Sequence, residues 1–185
     1  MKRLAILASG SGSNAEKIMA HFQNSDKAQI VLVASNKPEA FVLERAKKFD
    51  VPTFIFSRKE MDAGVLLEKL REENIDWVIL AGFLLKIPVD LTRDFPDRMV
   101  NIHPALLPKY GGKGMYGSFV HEAVKAAGDT ETGITIHLVN ENYDEGRIVF
   151  QASTPLTPED TPETIAEKVH ALEHKHFPEV IEGLL

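Results

Sequence analysis

The chain contains no cysteine. Disulfides, thiolate nucleophiles and cysteine-held zinc are therefore excluded, and a cytoplasmic setting fits a chain that uses none. It also lacks an apolar run long enough to cross a bilayer. The one candidate, residues 4–8 within MKRLAILASGSGSN, is too short to span and too short for the apolar part of a signal peptide. It reads as a first strand. Excess positive charge is missing as well: 21 Lys and Arg stand against 27 Asp and Glu, a formal net charge of -6. That balance argues against a general affinity for nucleic acid or an anionic membrane. It leaves open a local, amide-rich seat for a phosphate. Repeats, low-complexity tracts and linkers are absent, and 185 residues suit a single domain, residues 1–185.

Three chemical signatures are missing in turn. The glycine-rich turn Ser9-Gly-Ser-Gly-Ser-Asn14 carries no Gly-Lys-Ser/Thr, so it is not a P-loop. No Gly-x-Ser-x-Gly follows a strand, so there is no nucleophile elbow. The second strand ends in Ser35-Asn36-Lys37 rather than an acid, which disfavours NAD although Gly10-x-Gly12-x-x-Ala15 matches the dinucleotide pattern.

What is present is a βα alternation. Near-continuous apolar runs at residues 4–8, 30–35, 53–56, 77–81 and 99–103 read as strands covered on both faces. Later strands are expected at 134–139 and 148–152, with only residues 140–147 between them, which predicts an antiparallel edge hairpin. Capping boxes are expected at Ser13-x-x-Glu16 and Ser57-x-x-Glu60. A last helix is expected from Thr161 as N-cap, with Pro162 at its first position, to Glu182. The fold class is α/β: one doubly wound, mostly parallel, Rossmann-like sheet with that hairpin and a C-terminal helix. Ligands bind such sheets at strand carboxyl ends, so the loops after Ala8, Ala81, His103 and Val139 are the places to examine.

The first of these loops offers backbone N–H groups and a helix N-terminus to an anion. Gly12, Ser13 and Asn14 suit a phosphate monoester. On the strand ending at His103, Asn101 and His103 share one face at spacing i, i+2, and Pro104 and Pro108 stiffen the exit. A histidine exchanges protons near neutral pH, and a neutral amide can steady an oxyanion. Spacing alone leaves two readings open, hydrogen-bonded strand-end residues or acyl chemistry without a covalent acyl-enzyme.

The block Asn101-Ile-His103-Pro104-Ala-Leu-Leu-Pro108 resembles the signature of the folate-dependent formyltransferases. The resemblance runs over nearly the whole chain: the turn Ser9 to Asn14, Ser35-Asn-Lys37, Leu80-Ala-Gly-Phe83, Gly133-Ile-Thr-Ile-His137, and Asp144-x-Gly146 followed by Gln151. It is strongest to the branch acting on glycinamide ribonucleotide. It implies transfer of the formyl group of 10-formyltetrahydrofolate, a cosubstrate, to the amine of glycinamide ribonucleotide in de novo purine synthesis. No metal, nucleic acid or membrane is implied, and the chain is expected as a monomer or homodimer. Asn101 would steady the oxyanion, His103 would act as cationic acid, and Asp144 would raise the pKa of His103 and relay the amine proton. The nucleotide and its phosphate would meet Gly12, Ser13, Asn14, Glu173, His170 and Lys109. The folate would meet Arg58, Phe83, Leu84, Leu85, Lys86, Ile87, Val139, Asn140 and Tyr143, with the loop 140–144 closing over the pterin.

Departures from the family pattern fall around the cleft. Many members have Met-Arg where this chain has Leu84-Leu85, residues 111–117 form a longer glycine-rich loop, and Phe119 replaces a histidine found in some members. The role of His121 is left open by these changes. Rival readings are a formyltetrahydrofolate hydrolase, an NADP-dependent oxidoreductase and a non-catalytic nucleotide sensor. The sequence His170-Ala-Leu-Glu173-His174 also spells an inverted zinc-peptidase motif, with little chain left for a distal ligand.

Overall fold

Leu4, Ala5, Ile6 and Leu7 are all fully buried, as are Val33 and Ala34. Strands of this kind pack helices on both faces, and a parallel sheet follows. The computed structural model describes residues 1–185. Strands β1 (Lys2–Leu7), β2 (Ala28–Ser35), β3 (Thr53–Ile55), β4 (Trp77–Leu80) and β5 (Met99–His103) run parallel. Strand β6 (Glu131–Leu138) is reversed against both β5 and the edge strand β7 (Ile148–Pro155). The sheet order is β3-β2-β1-β4-β5-β6-β7. The chain leaves β1 towards β2 and later returns to β4 on the other side. The switch point therefore lies between β1 and β4, as the α/β rule requires.

Seven helices join the strands: α1 (Ser13–Phe22), α2 (Phe41–Lys47), α3 (Arg58–Asp62), α4 (Val65–Glu72), α5 (Val89–Asp94), α6 (Ser118–Ala127) and α7 (Pro162–Leu184). One core sets Ile18, Val42, Val124 and Val169 of α1, α2, α6 and α7 against Leu4, Ile6, Val100, Ile102 and Ile136. The other sets Met61, Leu66, Leu70 and Leu91 of α3, α4 and α5 against Ala5, Leu7, Val78 and Met99. On that second face the apolar packing ends at Met99. The next residues on the same face of β5 are Asn101 and His103, and the matching face of β6 carries Thr135 and His137. Loops rather than helices cover this stretch, which leaves room for a ligand. No helix is long and apolar enough to cross a membrane.

Two local expectations need correction. The first helix is not capped by Ser13, which is already its first residue. Its N-cap is Gly12 in the left-handed region at φ 72°, with no side-chain cap bond. A Cβ there would lie 2.4 Å from Val42, so close packing of α2 on the turn demands glycine. Glu16, freed from capping, pairs with Arg45 instead. The capping box at Ser57 and Glu60 is present, and Thr161 caps α7 with Pro162 at its start. The loop after β6 also begins at an unexpected level. Because β6 is reversed, Leu138 lies beside Val100, below Asn101, and the loop must fold back to reach the site. Gly146 permits this, since a Cβ there would sit 1.6 Å from the Leu138 carbonyl oxygen.

Candidate active site

The two polar side chains of β5 are held by different partners. His103 is buried, and its Nε2 lies 2.7 Å from the carbonyl oxygen of Tyr110. A carbonyl only accepts, so Nε2 carries a hydrogen and the neutral ring keeps its lone pair on Nδ1. That Nδ1 is 3.6 Å from Asp144 Oδ2. The same carboxylate oxygen accepts the Gly112 N–H at 2.9 Å, and Oδ1 is 3.6 Å from His137 Nε2. His137 Nδ1 in turn reaches the Leu138 carbonyl at 3.0 Å, and its Nε2 lies 3.1 Å from Asn101 Nδ2. Tyr110 and Asp144 have φ of 54° and 55°. Left-handed backbone at non-glycine residues is unfavourable and persists where surroundings enforce it. Here both residues serve His103.

The charges follow from this packing. Burial would raise the Asp144 carboxyl, yet His137, His103 and the Gly112 amide together hold it below its ordinary value. Asp144 is a carboxylate at neutral pH. The expected rise in the His103 pKa does not appear as a net effect. Burial lowers it, and this outweighs the upward pull of Asp144 and of the Tyr110 carbonyl. His103 is therefore neutral in the ligand-free site at neutral pH. A proton arriving there lands on Nδ1, beside the carboxylate.

A cleft of about 540 Å³ opens over this cluster, within the range of small-molecule sites. Asn101, His103 and Asp144 border it together with Gly12, Ser13, Asn14, His170 and Glu173. Phe83, Leu84, Leu85, Lys86, Ile87, Val139, Asn140 and Tyr143 border it as well. The turn after β1 is braced from several sides. Ser9 Oγ donates to Asn36 Oδ1 at 2.6 Å and accepts from the Leu84 N–H at 3.0 Å, which ties it to the loop after β4. Arg45 Nε donates to the Ser11 carbonyl at 2.8 Å. Asn14 Nδ2 donates to Glu173 Oε2 at 2.9 Å, while the buried Asn14 Oδ1 has no partner. Burial raises the Glu173 carboxyl above its usual range, partly offset by Asn14 and His170.

Arg58 and Lys109 are not among the residues bordering the cleft. Arg58 lies 3.6 Å from Asp62, and Lys109 lies 3.4 Å from Asp129. Ile87 is packed in the second core at the cleft wall. Lys86 Nζ stands 5.6 Å from the Tyr143 ring centre. Phe119 is 52% exposed beside Tyr116, whereas His121 is buried, borders the cleft and has no partner at Nδ1. Burial, with His170 and His103 nearby, lowers His121 to about 4. The His170 and His174 rings stack 6.2 Å apart, Glu173 between them in sequence turns to Asn14, and no group of three or more such side chains is disposed to hold a metal.

Sequence reasoning assigned no role to His137, Tyr110, Ser9 or Arg45. Thr135 and His137 alternate on β6 as Asn101 and His103 do on β5, and that repeated spacing was the available signal. The Tyr110 carbonyl and the Gly112 amide leave no trace in side-chain pattern.

Residues 2–181 match the formyl transferase family. The chain belongs to that family. A phosphoribosylglycinamide formyltransferase of Bacillus subtilis is 37% identical over 191 residues, covering 100% of this chain and 95% of that protein. The chloroplastic phosphoribosylglycinamide formyltransferase of Arabidopsis thaliana is 43% identical over 97% of this chain. The chain spans 64% of that plant protein and 61% of its Vigna unguiculata counterpart, less than two thirds of either. Among solved structures, glycinamide ribonucleotide transformylase 1 from Geobacillus kaustophilus superposes with a TM-score of 0.91 at 37% identity, covering 100% of this chain and 99% of that one. This formyl transferase chain thus shares its fold and most of its length with bacterial relatives of that name.

Proposed function

We propose that the protein transfers the formyl group of 10-formyltetrahydrofolate to the amine of glycinamide ribonucleotide, as a cytoplasmic enzyme of purine synthesis. One observation carries the reading. An oxyanion donor, a proton-exchanging ring and a carboxylate meet in a cleft that also holds an amide-rich turn and an apolar wall.

The amide-rich turn at Gly12, Ser13 and Asn14 suits the nucleotide phosphate, at the N-terminus of α1 where the helix dipole favours anions. Glu173 and His170 stand beside it for the ribose or glycinamide groups. Phe83, Leu85 and Val139 offer apolar surface to a flat pterin, and the backbone of residues 140–143 offers donors and acceptors to its edge.

In the transfer, the amine nitrogen attacks the formyl carbon and a tetrahedral intermediate forms. Asn101 Nδ2 donates a hydrogen bond to the new oxyanion, a contribution of about 3 kcal/mol in comparable sites. Asp144 accepts the proton shed by the amine. Asp144 hands that proton to Nδ1 of the neutral His103, 3.6 Å away, where the carboxylate and the Tyr110 carbonyl stabilise the resulting imidazolium. The bond from carbon to N10 of the folate then breaks, and N10 leaves with that proton. No covalent acyl-enzyme is needed.

The test is direct: mix the protein with both substrates and follow the formylated nucleotide and free tetrahydrofolate. Equal yields of the two support the reading. Tetrahydrofolate and formate released without formylated nucleotide would refute it and identify a hydrolase.

A further inference from the structure

Asn101 can serve the oxyanion only in one of its two amide orientations. The oxygen and nitrogen ends have nearly the same shape, so packing does not choose between them, and hydrogen bonds must. The Asn101 side chain makes one hydrogen bond, between Nδ2 and His137 Nε2 at 3.1 Å. Everything therefore depends on the tautomer of His137.

That tautomer is fixed by a backbone group. His137 Nδ1 is 3.0 Å from the Leu138 carbonyl oxygen, which can only accept. Nδ1 must carry the hydrogen. While it carries the ring's only one, Nε2 presents a lone pair to Asn101 Nδ2 at 3.1 Å, nearer than Asp144 Oδ1 at 3.6 Å. A lone pair accepts from Nδ2 and repels the amide oxygen. The Leu138 carbonyl sets the ring, and the ring sets the amide. His137 is buried, so water does not compete for these bonds. The pairing is built into the sheet, since His137 lies directly opposite Asn101 in the β5–β6 register.

We infer that His137 is a positioning residue for formyl transfer: its Nε2 lone pair holds one Nδ2 hydrogen of Asn101 so that the other is offered to the reacting carbonyl. The inference rests on the functional reading above. Without His137, the amide can turn and place its oxygen where negative charge develops. An oxyanion donor then becomes a repulsive group, and the loss falls on the transition state rather than on ground-state binding.

The experiment compares His137→Leu and His137→Gln with the parent, each also in an Asn101→Ala background. His137→Leu removes the acceptor at similar volume, and kcat falls about 100-fold, with both KM values within about threefold. His137→Gln keeps an acceptor oxygen and recovers most of that loss. In the Asn101→Ala background, His137→Leu changes kcat by less than about twofold, because the residue it positions is gone. His137→Met provides a second apolar replacement if the leucine variant does not fold. Parent-like kcat in the apolar variant, or an equal loss in both backgrounds, overturns the inference. Absence of transfer in the parent instead overturns the functional reading itself, so the two failures are separable.

Discussion

His103 Nε2 lies 2.7 Å from the carbonyl of Tyr110, and two residues later the Gly112 N–H donates to Asp144 at 2.9 Å. One short loop thus holds both His103 and Asp144, the proposed proton-handling pair. Gly112 has φ 93°, and a Cβ there would meet nothing within 4 Å. Gly112→Ala therefore acts through backbone conformation alone, at about 1 kcal/mol. It should tilt the N–H away from Asp144 and lower kcat at least about tenfold. Gly64→Ala, at φ 87° in equally open space but outside the cleft, carries the same backbone penalty. It should lower Tm similarly and leave kcat alone. Equal kcat losses would show that the loop bond has no catalytic role.

Removing His103 tests the pair directly. His103→Ala should reduce kcat by about 1,000-fold, the range expected for a lost acid–base group. Adding Asp144→Asn should then cost much less than it does alone, because the two act as a unit. Fully additive losses, measured by steady-state rates of the two single variants and the double variant, would mean that Asp144 works apart from His103.

Asn101 and His103 were legible because strand alternation turns a two-residue spacing into a shared face, and the apolar stretch before them marked a buried strand. The sheet and its edge hairpin were legible for the same reason. Asp144 was not readable from local pattern and entered only through resemblance. Its position depends on a loop that folds back because Gly146 lies against Leu138, a long-range packing fact. The capping expectation at Ser13 failed because the approach of Val42 decides the conformation of Gly12, and that contact joins separate helices. The neutral state of His103 was hidden too. It reflects burial, which composition does not reveal.

Acid should weaken the fold through its buried histidines. His121 is lowered to about 4 and His103 is also lowered, so the unfolded chain binds protons that the folded chain refuses. Stability is then fully present above about pH 6.5 and is lost as pH falls towards the folded values. His121 alone should remove about 2 kcal/mol between pH 7.5 and 5. That corresponds to a Tm drop of about 4–8 °C for a chain of this size. His121→Leu should flatten the profile. An unchanged slope in that variant would show that His121 takes up its proton equally well in the folded and the unfolded chain.

Glu173 should behave in the opposite sense. Burial raises its pKa, so the carboxyl contributes stability below the unfolded value and loses it as pH rises through the folded one. Glu173→Gln keeps an acceptor for Asn14 and removes the buried charge. Its Tm relative to the parent should therefore improve from pH 4 to pH 8. Because Glu173 borders the end of the cleft proposed for the nucleotide, beside Asn14, KM for the nucleotide should rise while KM for the folate holds. A change in folate KM alone would place Glu173 in the wrong subsite.

Thr135 braces the loop that leaves His103. Its buried hydroxyl donates to the Ala105 carbonyl at 2.7 Å and accepts from the Leu107 N–H at 2.9 Å and from Gln151 Nε2 at 2.8 Å. Gln151 Nε2 also reaches the Leu107 carbonyl at 3.1 Å, so it keeps a partner when the hydroxyl goes. Thr135→Val preserves shape but strands the Leu107 N–H and the Ala105 carbonyl inside the protein. Each unsatisfied group costs about 1–3 kcal/mol, so denaturant titration should show a loss of about 3 kcal/mol. Thr135→Ser retains the hydroxyl and should lose far less. Equal stability in the valine and serine variants would mean that water enters and replaces the hydroxyl, which the depth of this residue opposes.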